Sequence, residues 1–123
     1  MSKSETQASI AVLVVDDNQD LAENIAEILS LRGLTVLIAT SAEEALPKAL
    51  PDGPALLVTD FRLPGINGAE LVRQVRARRE GVRAVVISAY TDDATVAAAR
   101  AAGADFLPKP VDFGALSRIL DPT

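Results

Sequence analysis

Uniformly apolar runs alternate along the chain with segments in which apolar residues recur every three or four positions. Residues 10–15 are too uniformly apolar for a half-exposed strand and predict a central parallel strand covered on both faces. Leu21, Ile25, Ile28 and Leu29 follow at helical spacing, with Gly33 as the expected C-cap. Residues 34–39 give a second strand. Ser41 with Glu44 three positions on forms a capping box, opening a helix whose buried stripe is Ala42, Ala45, Leu46, Ala49 and Leu50. Pro47 lies inside that stripe, removes one backbone donor, and is expected to kink or shorten the helix at a cost of ~3 kcal/mol. Pro51, Gly53 and Pro54 then enforce a turn before a third strand, 55–59.

The stretch 63–68, Leu-Pro-Gly-Ile-Asn-Gly, is dense in turn residues. An Asn-Gly pair can mark a hairpin, but the residues after Gly68 have helical rather than alternating period, so the stretch reads as a shaped strand-to-helix loop. A helix over 69–79, a strand over 83–88, an alanine-rich helix over about 93–102 ending at Gly103, a strand over 104–107 and a short helix through Leu120 complete the series. Strict alternation argues for a parallel sheet with helices on both faces, joined by right-handed crossovers. The expected fold is α/β, a doubly wound, flavodoxin-like five-stranded parallel sheet in the order 2-1-3-4-5. That order makes the first and third strands neighbours.

At 123 residues the chain is one domain, long enough to bury roughly two-thirds of its unfolded surface. Residues 1–8 are polar and expected to fray, leaving a domain over 9–121. The lack of cysteine excludes disulfides, thiolate zinc sites and a cysteine nucleophile. With no apolar leader after Met1 and no run long enough to span a membrane, a soluble cytoplasmic protein is expected. A net charge of −5 gives no overall footprint for nucleic acid. The one basic stretch, Arg73, Arg76, Arg78, Arg79 and Arg83, reads as the solvated face of a helix whose apolar side is Leu71, Val72 and Val75.

The strand ends carry the candidate chemistry. The first run delivers Asp16 and Asp17, the third Thr59 and Asp60, the fourth Ser88, and the fifth leads to Lys109. In a parallel sheet these groups converge at the carboxyl edge, where open α/β folds place their ligands, and they outline a phosphoryl-transfer site. Three carboxylates brought close together stay ionised only if they share a cation, and oxygen donors at such a site suit Mg²⁺. A simpler role is open to the first pair, because Asp16, Asp17 or Asn18 could serve only as a helix N-cap. Ser88 alone would be an ordinary turn residue, and lysines are usually solvated. Lys109 differs because Pro108 and Pro110 bracket it in a rigid, aimed loop. Histidine is absent, so a phosphoryl donor must come from outside the chain.

Taken in order, Val14-Val15-Asp16-Asp17-Asn18, Val58-Thr59-Asp60 with Leu63-Pro64-Gly65 and Asn67-Gly68, Ile87-Ser88-Ala89-Tyr90, and the stretch from Gly103 through Pro110 form one pattern. Over about residues 9–120 the chain resembles the receiver domain of bacterial two-component response regulators. The resemblance implies that Asp60 is the phosphoacceptor, charged by the phosphohistidine of a sensor kinase or histidine phosphotransfer protein, or by a small acyl phosphate. It implies Mg²⁺ held by Asp16, Asp17, Asp60 and the main-chain carbonyl of Arg62, with Lys109 neutralising the phosphoryl group. No general base is needed by an ionised carboxylate nucleophile. Such a domain is no enzyme towards other substrates and catalyses only its own phosphorylation and dephosphorylation.

In the family, the hydroxyl at the Ser88 position turns towards the phosphoryl group and the aromatic at the Phe106 position swings inwards. That shifts the face made by the fourth helix, fifth strand and fifth helix towards a downstream effector or output domain, and a phosphorylation-dependent dimer is a further option. Serine stands here for the more frequent threonine, and phenylalanine for the more frequent tyrosine. The plainer alternative for Phe106 is a core aromatic. Arg62 and Tyr90, bulky residues beside the site, are expected to gate water reaching the acyl phosphate. The alanine-rich face Ala97, Ala98, Ala101 and Ala102, with the last helix, is the expected docking surface.

Two other classes share part of this residue set. A haloacid-dehalogenase-like phosphohydrolase wants an aspartate where the chain has Arg62, and its acid pair follows the lysine rather than preceding it. A pseudo-receiver that binds partners without being phosphorylated usually lacks an acid or the lysine, all of which are present here.

Overall fold

The structure is a computed structural model that describes residues 11–120; the expected frayed tail, 1–8, lies outside the described residues. Its elements, in chain order, are β1 (Ala11–Val15), α1 (Gln19–Leu31), β2 (Thr35–Ala39), α2 (Ala42–Ala49), β3 (Leu56–Asp60), α3 (Gly68–Arg78), β4 (Arg83–Ser88), α4 (Asp93–Ala101), β5 (Asp105–Pro108) and α5 (Phe113–Leu120). The strands form one parallel sheet in the expected order β2-β1-β3-β4-β5.

Alternation along each strand divides the core in two. Leu13, Val15, Leu57, Ala84 and Val86 face the buried stripes of α2, α3 and α4. Val12, Val14, Leu56, Val58, Val85 and Ile87 face α1 and α5, which contribute Ala22, Ile25, Leu29 and Leu116. Both faces of β1, β3 and β4 are therefore covered, which is why those runs are continuously apolar. β2 is an edge strand, so Leu37 keeps a large exposed area.

Polar residues start the helices. Asn18 accepts from the Leu21 N–H, Ser41 from Glu44, Asn67 from Glu70, Asp92 from Thr95 and Asp112 from Ala115. In the capping box at Ser41, the Glu44 carboxylate turns back to the backbone N–H of Thr40, at 2.8 Å. Asn67 thus caps α3 as well as ending the turn-rich loop, a role its Asn-Gly context concealed. Gly33 and Gly103 lie at positive φ just past α1 and α4, as C-terminal glycines do.

Three expectations about side-chain placement need correction. Pro47 is exposed rather than inside the buried stripe of α2, and the helix runs on to Ala49. The carbonyl it leaves without an intrahelical donor, that of Glu43, belongs to an exposed residue where water can bond it. The basic stretch is not a uniformly solvated face. Arg76 donates to the Val82 carbonyl, and Arg79 donates to the carbonyls of Ala49, Gly53 and Pro54 at 2.9–3.2 Å, so both are half-buried ties between elements. At α4, the C-cap Ala102 is buried and Ala98 packs against the core; Ala97 and Ala101 alone of the four alanines face solvent. The four span about 140° of the helix surface, and the edge carrying Ala98 and Ala102 turns into the core.

Candidate functional site

Parallel register sets the site. Val14 and Val58 are partners, as are Val15 and Thr59, so Asp16 and Asp60 leave neighbouring strands at the same height and on the α1/α5 face. Both are buried, while Asp17 is exposed. One carboxylate oxygen from each of Asp16, Asp17 and Asp60 lies within 4.8 Å of the other two. Asn18 settles the question left open by the acid pair: its side chain caps α1, and Asp16 Oδ1 accepts from the Asn18 backbone N–H at 2.9 Å. Asp16 therefore orients the residue that starts the helix and keeps its other oxygen for the cluster.

That second oxygen, Oδ2, accepts from Lys109 Nζ at 3.2 Å, and Asp60 Oδ2 lies 3.4 Å from the same nitrogen. Lys109 reaches between the two buried acids from the loop after β5, where its backbone N–H donates to the Ser88 carbonyl at 2.8 Å and its bond to Pro110 is cis. Three carboxylates thus face one ammonium. Burial, then repulsion by Asp16, pushes the Asp60 carboxyl above its ordinary value of 3.8, and the Lys109 charge with the Arg62 backbone N–H only partly reverses this. Hard oxygen donors with excess negative charge fit a divalent ion such as Mg²⁺.

The remaining predicted residues surround the cluster. Ser88 ends β4, fully buried, with its Oγ accepting from the Tyr90 N–H at 2.9 Å, so it shares the edge without joining the charge cluster. The Arg62 guanidinium lies over the Tyr90 ring, 4.8 Å from its centroid, which joins the β3–α3 and β4–α4 loops. Phe106 is half-buried against the α2–α4 core, opposite Val86 of β4. A cavity of about 430 Å³ between α2 and the Pro64–Ile66 turn contains none of these residues.

Two residues that the sequence names only as part of a strand end and a turn, Thr59 and Gly68, act on the backbone beside the site. Gly68 packs so tightly on β3 that a Cβ there would stand 2.2 Å from the Asp60 carbonyl oxygen, and its N–H donates to the Phe61 carbonyl at 2.8 Å. Its place directly after Asn67 suggested a turn, whereas close approach is what demands glycine. Thr59 is fully buried and donates from Oγ1 to the Asp60 carbonyl at 2.9 Å. A polar residue inside an otherwise apolar strand was the available signal.

The sequence pattern of the response regulator receiver domain matches residues 12–121. Over 110 residues the chain is 48% identical to a response regulator receiver protein of Anaeromyxobacter sp. (strain Fw109-5), an alignment covering 89% of this chain and 45% of that protein. The chain spans about half the length of the curated relatives it matches first. Among solved structures, a response regulator receiver protein from Pseudomonas putida superposes with a TM-score of 0.86 at 34% identity, covering 94% of this chain and 98% of that one. A response regulator from Burkholderia pseudomallei, solved with a phosphorylated aspartic acid, a calcium ion and citrate, superposes with a TM-score of 0.83 at 28% identity over 90% of this chain and 66% of that one. Sequence pattern, identity and fold agree, and the chain belongs to the response regulator receiver domain family.

Proposed function

We propose that the chain is a phosphorylatable switch of a two-component phosphorelay, with Asp60 as the phosphoacceptor. The observation that carries this reading is the meeting of Asp16, Asp17 and Asp60 within 4.8 Å, with Lys109 Nζ at 3.2 Å from Asp16 and 3.4 Å from Asp60. A phosphorylated aspartic acid and a bound divalent cation in the Burkholderia relative support it. Mg²⁺, held by Asp16, Asp17, Asp60 and the Arg62 main-chain carbonyl, would supply the positive charge that keeps the acids ionised and offsets phosphoryl charge.

An Asp60 carboxylate oxygen attacks the phosphorus of a phosphohistidine or an acyl phosphate. The new O–P bond forms as the bond to the donor imidazole or acyl oxygen breaks, and the leaving group takes the electron pair. Lys109, already between Asp16 and Asp60, stays beside Asp60 and neutralises a phosphoryl oxygen. Ser88 releases the Tyr90 N–H and turns its hydroxyl towards the new group, while half-buried Phe106 moves inwards. The surface that changes is α4–β5–α5, which docks the effector or output domain or a second copy. The donor is a sensor histidine kinase or a histidine phosphotransfer protein, and the setting is cytoplasmic. In this reading the chain contacts neither DNA nor membrane, and it acts on no substrate other than itself. Among the described residues no helix is long and apolar enough to cross a membrane.

In this reading the stacked Arg62 and Tyr90 side chains, on the loops that follow β3 and β4, slow attack by water on the acyl phosphate. Decay of the phosphorylated protein should quicken about threefold to tenfold in Arg62→Ala and Tyr90→Ala; unchanged decay in both removes the gate. Incubation with acetyl phosphate and Mg²⁺, read by intact mass, tests the whole reading. A gain of one phosphoryl group that is lost in Asp60→Asn is expected. An unlabelled chain would favour a non-phosphorylated scaffold, and label persisting in Asp60→Asn would move the acceptor elsewhere.

A further inference from the structure

Thr59 is the one fully buried hydroxyl on the α2–α4 side of β3, and packing does not explain it. Its strand partners, Val15 of β1 and Val86 of β4, are valines buried in that core, and valine matches threonine in shape without the hydroxyl. A buried hydroxyl is destabilising unless it finds a partner. Here the partner is the carbonyl of Asp60, accepting from Thr59 Oγ1 at 2.9 Å. The same carbonyl is closed off from α3 by Gly68, where even a methyl group would overlap it. The same peptide is held on its other side, where the Phe61 N–H donates to the Ile87 carbonyl, and the next peptide is tied through the Phe61 carbonyl, which accepts from the Gly68 N–H.

Successive side chains of a strand point to opposite faces, so Thr59 cannot reach a group bound at the Asp60 carboxylate. We infer that Thr59 is a positioning residue: by holding the Asp60 carbonyl from the far face of the sheet, its hydroxyl fixes the peptide from which the carboxylate is aimed. The inference rests on Asp60 being the phosphoacceptor. In-line transfer is sensitive to such aim, since a misplacement of about 1 Å costs on the order of a hundredfold in rate, and a loosened peptide should cost part of that.

The test compares the unaltered chain with Thr59→Val and Thr59→Ser. Three readouts are taken: thermal unfolding, Mg²⁺ affinity from the fluorescence of Tyr90, the sole tyrosine, and the rate of labelling by acetyl phosphate at saturating Mg²⁺. Thr59→Val should unfold cooperatively and bind Mg²⁺ as the unaltered chain does, yet label about tenfold more slowly. Thr59→Ser, which keeps the hydroxyl and loses the methyl, should label within about twofold of the unaltered chain. Labelling of Thr59→Val at the unaltered rate overturns the inference while leaving Asp60 as the acceptor. Equal slowing in both variants also overturns it, because shape and not the hydroxyl would then matter. An unlabelled unaltered chain overturns the phosphoacceptor reading and this inference together.

Discussion

Two cations mark the two ends of β3, and they are used in opposite ways. Beyond its carboxyl end, the Lys109 ammonium stands between Asp16 and Asp60, with a third carboxylate nearby. Before its amino end, the Arg79 guanidinium donates to three neutral carbonyls, those of Ala49, Gly53 and Pro54. Arg79 is a tie: its planar fork closes the α2–β3 connection onto the end of α3, and its partners carry no charge to be titrated or transferred. Lys109 is outnumbered, and the uncompensated negative charge around it is what fits that end of the sheet for a divalent ion, which in the proposed function offsets the charge of a phosphoryl group. A half-buried cation alone therefore identifies neither role. The charge of its partners does.

The strongest way to break this contrast is to remove each cation in turn. Lys109→Met should cut labelling of Asp60 by about a hundredfold to a thousandfold, the range for deleting one preorganised charge at a transferring group. The measurement is labelling by acetyl phosphate at saturating Mg²⁺, alongside a thermal melt showing that the variant is folded. A labelling rate near that of the unaltered chain would make Lys109 another structural tie.

Arg79→Met should do the reverse. Loss of charge-assisted bonds to three carbonyls is expected to destabilise the fold by about 2 kcal/mol, or roughly 8 °C in Tm. Labelling per folded molecule should stay within about twofold, because the Arg79 contacts lie at the far end of β3 from Asp60. Urea unfolding followed by circular dichroism reads the first quantity and intact mass the second. Full stability in Arg79→Met would return Arg79 to the solvated face that the sequence suggested.

The difference between these residues also explains what the sequence could tell. Strand order and the Asp16, Asp60 and Lys109 meeting point follow from local patterns: continuous apolar runs, alternation with helices, and prolines on both sides of Lys109. Arg76 and Arg79 share a helical segment with exposed Arg73 and Arg78, and only the path of the connections decides which of them reach a carbonyl. Pro47 is a related case: it sits next to half-buried Leu46, and the step of about 100° between neighbours decides which of them faces the core. Gly68 and Thr59 act on the carbonyl of Asp60, a backbone group that any residue carries and that leaves no trace in composition. The charges were legible; the supports beneath them depended on tertiary contacts.

The smallest expected effect separates the two ends by pH. In Mg²⁺-free buffer, burial and then Asp16 raise the Asp60 carboxyl above 3.8 in the folded chain, so the folded state holds that proton more tightly than the unfolded state. Stability from this group is therefore gained as pH falls through the raised folded value, and the gain is complete below 3.8. Glu44, Glu70 and Asp92 act oppositely. Hydrogen bonds from Thr40, Arg73 and Thr95, respectively, lower their carboxyls, so their stabilisation is present above the unfolded values and is lost as pH falls through the folded ones. Those three are common to every variant and cancel in a difference. Asp60→Asn should therefore melt above the unaltered chain near neutral pH, and that gap should close as pH falls towards the ordinary carboxylate range. The Arg79→Met gap should stay flat over the same range, because its partners are neutral carbonyls. Thermal melts of the three chains across that range provide the check: a constant Asp60→Asn gap would mean that Lys109 fully compensates Asp60, and the contrast between the two ends would fail.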